Sequence, residues 1–576
     1  MKLSPVLPLG VVLVSLSVGC SGLFESNSGR KSSSNGNEPA EAGTTPASPT
    51  DTPPGPGPSE MPTVPTAPSP GACTLPGTPL AVQTRRLTPR QYQTTLEAGL
   101  GLSLQPAELP QFQDDNPTIG LANDPQKLRI TTVSVDSLYA SLLAVSKRSL
   151  ANVSDVQSCI SATGTACFEQ LIDSLGQKLW RRPVAAEEKA DLLAGVASVA
   201  AASGTREDQA DFLLQALQFS PNTLYRLELG DATGNLTDQE LASLLSYTFW
   251  DAPPDAALFA AAQAGTLHTP GVLKSEAQRL AQDPRFPKAV AGFLWDFLKL
   301  ENIYTKKKDD TLGLTPAVRS TLAASASGTL DQALTSGQAS LLDVFSGVSF
   351  PVNDELAPFF GVPAVGTSQL TPQSLSPEQR LGILSHPGFL TVHAGEGSTS
   401  IVKRGVFVLE QLLGVKIPAP PPNVQGIDPA TIPNLDTATT SARELLKVTH
   451  SAQPACNGCH SIIDPAGFGL ENFDTVGHFR TVEKQTVPID ASGSITVGSE
   501  TLTYTNSIEY IRALSSSQAL RNAVVEHYFA YALGQLGDGC EAHRFSEAIA
   551  KANDSLSALP TELVATQSFV RRAPTP

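Results

Sequence analysis

From Leu87 onward the apolar residues recur mainly at intervals of three and four, the period of helices that bury one face. Thr88 ahead of Pro89, Arg90, Gln91 and Tyr92 sets an N-cap side chain before a first-turn proline. Thr237-Asp238-Gln239-Glu240 has capping-box spacing, and Leu241, Leu244 and Leu245 then run at helical period toward Trp250. The same period predicts helices over 168–179, 212–219, 290–300 and 523–533, with proline and glycine clusters between them. One stretch differs. Between 486 and 505 polar and apolar residues alternate, and with Asp490-Ala491-Ser492-Gly493 they predict a small β-hairpin. The expected fold class is therefore mainly α: several helical modules with a β-hairpin insertion near 486–505. No internal repeat at solenoid spacing is present.

The first eighty residues follow another pattern. Lys2, an apolar run over 6–18 and the small residues Ser17, Val18 and Gly19 lead into Cys20, the layout of a signal peptide. The run is shorter than the roughly 20 apolar residues a bilayer span needs. Small residues ending at a cysteine resemble a bacterial lipobox, which makes Cys20 a lipidated mature N-terminus; Ser21 resembles the outer-membrane sorting choice. Leu16 stands one place earlier than the lipobox leucine, so plain signal-peptidase cleavage is the alternative. Residues 24–70, rich in Ser, Thr, Gly and Pro and including the run Pro53-Pro54-Gly55-Pro56-Gly57-Pro58, cannot form a buried face and read as a tether. The expected setting is the cell envelope, as an outer-membrane lipoprotein anchored to the membrane.

Charge narrows the partners. The chain of 576 residues carries 55 acidic and 39 basic side chains, a net charge of −16, which opposes binding to nucleic acid or to anionic lipid. No polybasic patch offsets it.

Seven cysteines in an oxidising compartment are informative. Setting Cys20 aside, Cys159 and Cys167 flank a short Ser/Thr/Gly loop and suit a local disulfide at a helix entrance. Cys73 and Cys540 are left as partners for each other, a bond that would tie the two ends of the folded body together; two unrelated thiols are the alternative. Cys456 and Cys459 belong to the run Cys456-Asn457-Gly458-Cys459-His460. In c-type cytochromes two thiols add to the haem vinyl groups while the adjacent histidine faces the iron, and Cys-x-x-Cys-His is the shortest arrangement that allows all three. The expected cofactor is one covalent haem c, with His460 as the proximal ligand. Zinc on Cys456, Cys459, His460 and His450 is the rival, as is a simple disulfide; a thioredoxin-like redox pair would need a βαβ setting that helical surroundings do not provide.

The other axial ligand is constrained by composition. The two methionines are Met1 and Met61, in the signal peptide and the tether, so an ordered methionine ligand is excluded. His450, six residues before Cys456, is the first candidate, ahead of His386, His393, His478, His527 and His543, with water or an open position as the alternative. Pro465, Gly467 and Gly469 predict an irregular loop just after His460, and Phe468 and Phe473 suit either a haem edge or ordinary core. Lys403 and Arg404 suit either haem propionates or solvent.

These surroundings carry a resemblance. Arg443-Glu444-Leu445-Leu446, His450, Pro454-Ala455-Cys456, Cys459-His460, Asp464-Pro465-Ala466-Gly467-Phe468 and Leu470-Glu471-Asn472-Phe473-Asp474 resemble the haem-motif module of planctomycete-type and myxobacterial-type cytochrome-like proteins, which are built from consecutive modules of unknown function. Trp180-Arg181-Arg182-Pro183, Ser220-Pro221-Asn222-Thr223-Leu224-Tyr225-Arg226, Arg380-Leu381-Gly382-Ile383-Leu384, Lys403-Arg404-Gly405, Pro420-Pro421-Pro422-Asn423-Val424 and Tyr531-Ala532-Leu533-Gly534 resemble motifs of that family in the same succession. The resemblance implies haem attachment and a modular layout: 1–20 signal peptide, 21–72 tether, 73–150 N-terminal helical module, 151–232 module with Cys159 and Cys167, 233–375 helical module, 376–480 cytochrome-c-like haem module, and 481–576 C-terminal module. Two function classes follow, an envelope electron-transfer protein with a redox partner, and a surface glycan-binding or assembly protein in which the haem or a zinc is structural. No Ser/His/Asp triad, phosphate loop or paired-carboxylate motif is legible.

Overall fold

The computed structural model describes residues 79–112, 128, 130–335, 339–418, 431–433, 435–452, 454–535 and 539–573. Cys20, Cys73, the tether and the Pro420 to Val424 motif lie outside the described residues. The rest is mainly helical, with four two-stranded antiparallel ribbons among the described residues.

The local signals act as their chemistry requires. Thr88 caps the helix Pro89–Leu100 by accepting from the Gln91 N–H, and the Gln91 side chain returns the bond. Thr237 and Glu240 make the same reciprocal box at the start of Asp238–Phe249. The 168–179 helix runs as Ala166–Leu171 and Gln177–Trp180, joined through one π-helical segment, Ile172–Gly176. Cys159, in Ser154–Ser161, and Cys167, in Ala166–Leu171, form a disulfide across the turn between their helices. Cys540 is also disulfide-bonded.

The hairpin is present, but its turn is displaced. Gly493–Val497 pairs with Glu500–Tyr504, so the tight turn is Gly498-Ser499, with Gly498 at φ +60°. Asp490 instead caps the approach, accepting from the Ser492 N–H. An Asp-rich turn signal and a two-residue glycine turn lie close enough in sequence to be merged, and the strand register separates them.

Two hydrophobic cores form. One gathers Tyr92, Leu96, Phe168, Leu179, Leu213 and Leu224; the other runs from Leu236 to Phe569 and includes Phe293, Leu390, Ile463 and Phe529. The first ribbon, Gln83–Arg86 against Tyr225–Glu228, leads from one core to the other, and the C-terminus returns beside it: the Arg572 N–H donates to Gly234 O and the Ala573 N–H to Leu80 O. At this junction the Glu228 carboxylate receives Arg85 and Arg226 on one oxygen and Arg572 on the other, with every side chain at most 5% exposed. Burial alone would raise the Glu228 pKa, but Arg85, Arg572 and Arg226 hold it well below the usual carboxylate range. Burial, then Arg226, pushes Arg85 down to about 10.

Removing one member of such a cluster strands buried charge. Glu228→Gln should cost about 3–5 kcal/mol, read as a fall of several degrees in the thermal midpoint. Because the folded pKa is depressed, the contribution is complete above the unfolded Glu value and is lost only as pH falls through the lower folded value. An unchanged midpoint at neutral pH would show that the cluster is not stabilising.

Candidate haem-attachment site

The helix Pro454–Phe468 carries the whole Cys456 to His460 run. Spacing of i, i+3 and i+4 sets Cys456, Cys459 and His460 on one helical face. Both cysteines are thiols rather than half-cystines, Cys456 buried and Cys459 half-buried. His460 keeps a side-chain exposure of 18%.

One turn further on, Asp464 receives the His460 Nδ1–H at 2.8 Å. Sequence reading quoted Asp464 without giving it this role, although a His and an Asp four apart on a helix are placed to meet. The bond fixes the tautomer and leaves Nε2 as the lone-pair nitrogen, the usual outer-shell arrangement of a metal-bound imidazole. His450 arrives on the π-helical segment Lys447–Ser451 that follows Ala442–Leu446, and its ring lies 4.2 Å from that of His460 at 38°. Its Nδ1 is buried with no hydrogen-bond partner. Burial, and then His460, lowers its pKa, with Asp464 opposing.

These residues fit a haem c: two thiols and an imidazole on one face, a carboxylate orienting the imidazole, and an unsatisfied buried nitrogen beside it. They also fit a bare ion, since donor atoms of His450, His460 and Asp464 all lie within 4.8 Å of one another. The rings of His450 and His460 are closer than two imidazoles held on opposite sides of one metal at about 2 Å each, so His450 would have to move to act as a distal ligand.

Backbone contact positions the helix. Gly405, in the helix Ile401–Phe407, and Gly467 let the two helices touch: a Cβ on Gly405 would lie 2.1 Å from Ile463 O, and one on Gly467 2.0 Å from Ile401 O. The Tyr504 and Tyr510 hydroxyls donate to Pro465 O and Ala466 O at 2.7 and 3.0 Å, satisfying carbonyls at the helix end.

Two expectations are corrected here. The segment after His460 is not a loop, because the helix continues through Pro465 to Phe468. The amide that proline lacks would have served Ser461 O, and Ser461 is exposed, so water can serve it. Gly467 and Gly469 serve close packing, Gly469 against the Tyr510 ring. Arg404 does not face solvent. It is fully buried and donates to Leu470 O, Phe473 O and Asp474 O at 3.0, 2.9 and 2.8 Å, clamping the chain that leaves the motif helix. Lys403 is exposed. Phe473 is core, packed edge-on to Phe479, and Phe468 lies under the Arg443 guanidinium.

The remaining histidines are engaged elsewhere. His386 Nδ1 accepts from the Gly388 N–H, so Nε2–H points at Ser325 Oγ, the wrong tautomer for a base on that serine. His393 sits between Phe389 and Phe407 and donates to Leu298 O. Burial holds both near pKa 3. His478 pairs with Asp474 at 2.8 Å, His527 bonds Ala523 O at 2.7 Å, and His543 faces Glu547 at 3.6 Å.

Residues 380–483 match the family PSCyt3, a protein of unknown function (DUF1588), and residues 236–362 match PSD4, a protein of unknown function (DUF1592). The chain thus carries successive modules of unknown function, the first of these two matches containing the whole site. No curated protein and no solved structure matches it.

Close packing makes a paired prediction. Gly405→Ala should destabilise the fold by about 1–3 kcal/mol and raise the alkylation rate of the buried Cys456. Gly458→Ala, with no atom within 4 Å of the added Cβ, should do neither. Equal behaviour of the two variants would show that the helices do not depend on this contact.

Proposed function

We propose that the chain is a cell-envelope protein that holds one haem covalently on Cys456 and Cys459, with His460 as the iron ligand, and that it transfers electrons with a partner protein. The observation that carries this is the common helical face of both thiols and His460, with Asp464 fixing the His460 tautomer. The family name PSCyt3 over the same residues points the same way. A bound haem supplies one-electron chemistry; the chain's own residues attach it, orient the imidazole and set its surroundings. The helix Ile401–Phe407, the hairpin and the larger core hold that helix in place.

The second reading is a structural metal ion on His450, His460 and Asp464, favoured by their convergence. A glycan-binding or assembly role belongs to this second reading, with the metal as a fold element. Membrane attachment through a lipid on Cys20 is proposed on the lipobox resemblance, with Cys20→Ser expected to release the protein from the membrane fraction. Retention of that variant in the membrane would overturn the anchor.

Expression with a haem-attachment system should give a protein that keeps haem stain after denaturation and washing. Cys456→Ser with Cys459→Ser should abolish the stain, and His460→Ala should change the visible spectrum. Asp464→Ala should leave the stain and weaken the iron–imidazole bond, about 10–100-fold in metal affinity. Stain-free protein that instead carries a stoichiometric zinc would favour the second reading.

A further inference from the structure

Away from the Cys456 to His460 helix lies a cavity of about 810 Å³, in the size range of small-molecule sites. Trp295, Tyr304 and Tyr531 give it aromatic walls, and Asp251, Asp296, Glu301 and Asp331 give it carboxylates. Arg90 and Lys288 are the cations on its lining. These residues come from chain segments up to several hundred positions apart, so no local motif announces them.

The charges do not balance. Arg90 Nε pairs with Asp251 at 3.0 Å, and Lys288 acts on Asp331. Among the described residues nothing donates a hydrogen bond or forms an ion pair with the Asp296 carboxylate, although protein surrounds it and its residual exposure is toward the cavity. Glu301 Oε1 accepts from Asn302 Nδ2 at 3.1 Å, the residue's own backbone N–H also acts on the carboxylate, and Oε2 is buried with no partner. Backbone strain sits on the lining at Asp251, which holds φ +54° without being glycine, a cost of about 1–3 kcal/mol. Gly292 leaves room for the Arg90 guanidinium, since a Cβ there would lie 2.6 Å from Nη1.

We propose that this cavity is a binding site for an organic cation, an amine or ammonium compound whose charge rests between Asp296 and Glu301 against the aromatic walls. Carboxylates with no direct ion pair, here influenced only electrostatically by Lys299 and, for Asp296, Arg90, beside Trp and Tyr faces are the chemistry that recognises such ions. Among the described residues the donor atoms of three metal-ligating side chains converge within 4.8 Å only around His460, so the cavity carboxylates do not form a three-ligand metal site. An anion would meet the wrong sign of charge.

The environment of Asp296 agrees. Burial, then Glu301 and Asp251, pushes its pKa up to about 8, against Lys299 and Arg90. Tyr531, across the cavity, stays a neutral phenol because burial, Asp296 and Asp251 raise it well above its ordinary value. Asp331 and Lys288 complete the charged groups on the lining. A cation entering beside Asp296 therefore displaces a proton, and its affinity rises with pH until Asp296 is ionised without it.

Spermidine is the probe, titrated calorimetrically into the full chain, with magnesium ion and a neutral trisaccharide as the other arms. Expected are one saturable site for spermidine, proton release near neutral pH, and affinity that climbs toward about pH 9. Asp296→Asn and Glu301→Gln should each weaken binding about tenfold there. Asp296→Asn imitates the protonated side chain, so its melting temperature near neutral pH should not fall, which separates lost binding from lost folding. Absence of saturable spermidine binding, binding indifferent to both variants, or preference for magnesium or the trisaccharide would each overturn the proposal.

Discussion

The architecture depends on one buried carboxylate. Glu228 joins a strand near the start of the described chain, the strand that pairs with it and the C-terminal segment, through Arg85, Arg226 and Arg572. Desolvating four charges is expensive, and the attraction offsets it only where the remaining N–H groups are also satisfied. They are in part: Arg572 also donates to Ser568 O and Arg571 O, while Arg226 Nε and Arg572 Nε find no acceptor among the described residues. The gain is in specificity of closure. A hydrophobic contact would tolerate a shifted register, whereas a carboxylate shared by three guanidinium groups fixes which ends meet.

The same residue type solves a second problem. A helical chain with many short connections buries carbonyls that no sheet satisfies, and each needs a donor. Arg181 reaches Leu179 O, Asn222 O, Thr223 O and Tyr225 O; Arg380 reaches Phe359 O, Phe360 O and Ser385 O; Arg404 does the same for the segment after the motif helix. A guanidinium presents five N–H groups in a fixed plane, so one side chain can hold a turn that would otherwise fray. The position of His460 thus rests on Arg404 as well as on glycine contacts. Each clamp sits in a short motif that sequence reading could quote and not explain.

What was legible follows from range. Thr88 and Thr237 cap helices through atoms three residues away, so their signals are local and the structure matches them. Cys159 and Cys167 are close for the same reason. Pro465 misled because it stands in the last turn of its helix and the carbonyl it orphans belongs to an exposed residue, Ser461, and exposure is a tertiary property. Arg404 misled because its burial is decided by carbonyls about seventy positions on. The cavity was illegible altogether: Arg90, Asp251, Asp296 and Tyr531 share no window of sequence.

Buried polar groups in this protein differ in how fully the fold supplies them with partners. Glu228 and His386 are deeply buried and hydrogen-bonded, Arg404 is buried with its terminal nitrogens bonded and Nε left over, and each explains a piece of the fold. His450 Nδ1 and Glu301 Oε2 are buried without a partner, and Asp296 lacks one on the wall of the large cavity. An unsatisfied buried polar atom costs about 1–3 kcal/mol, and nothing in the packing around these three requires a polar group there; an apolar side chain of similar size would be cheaper. Such a cost is kept when the missing partner arrives from outside the chain. His450 lies beside the thiol-bearing helix and Asp296 and Glu301 line the cavity, so these three sit where a ligand can supply a partner, whereas other buried polar atoms without one, such as those of Gln218 and Tyr528, belong to the packed framework.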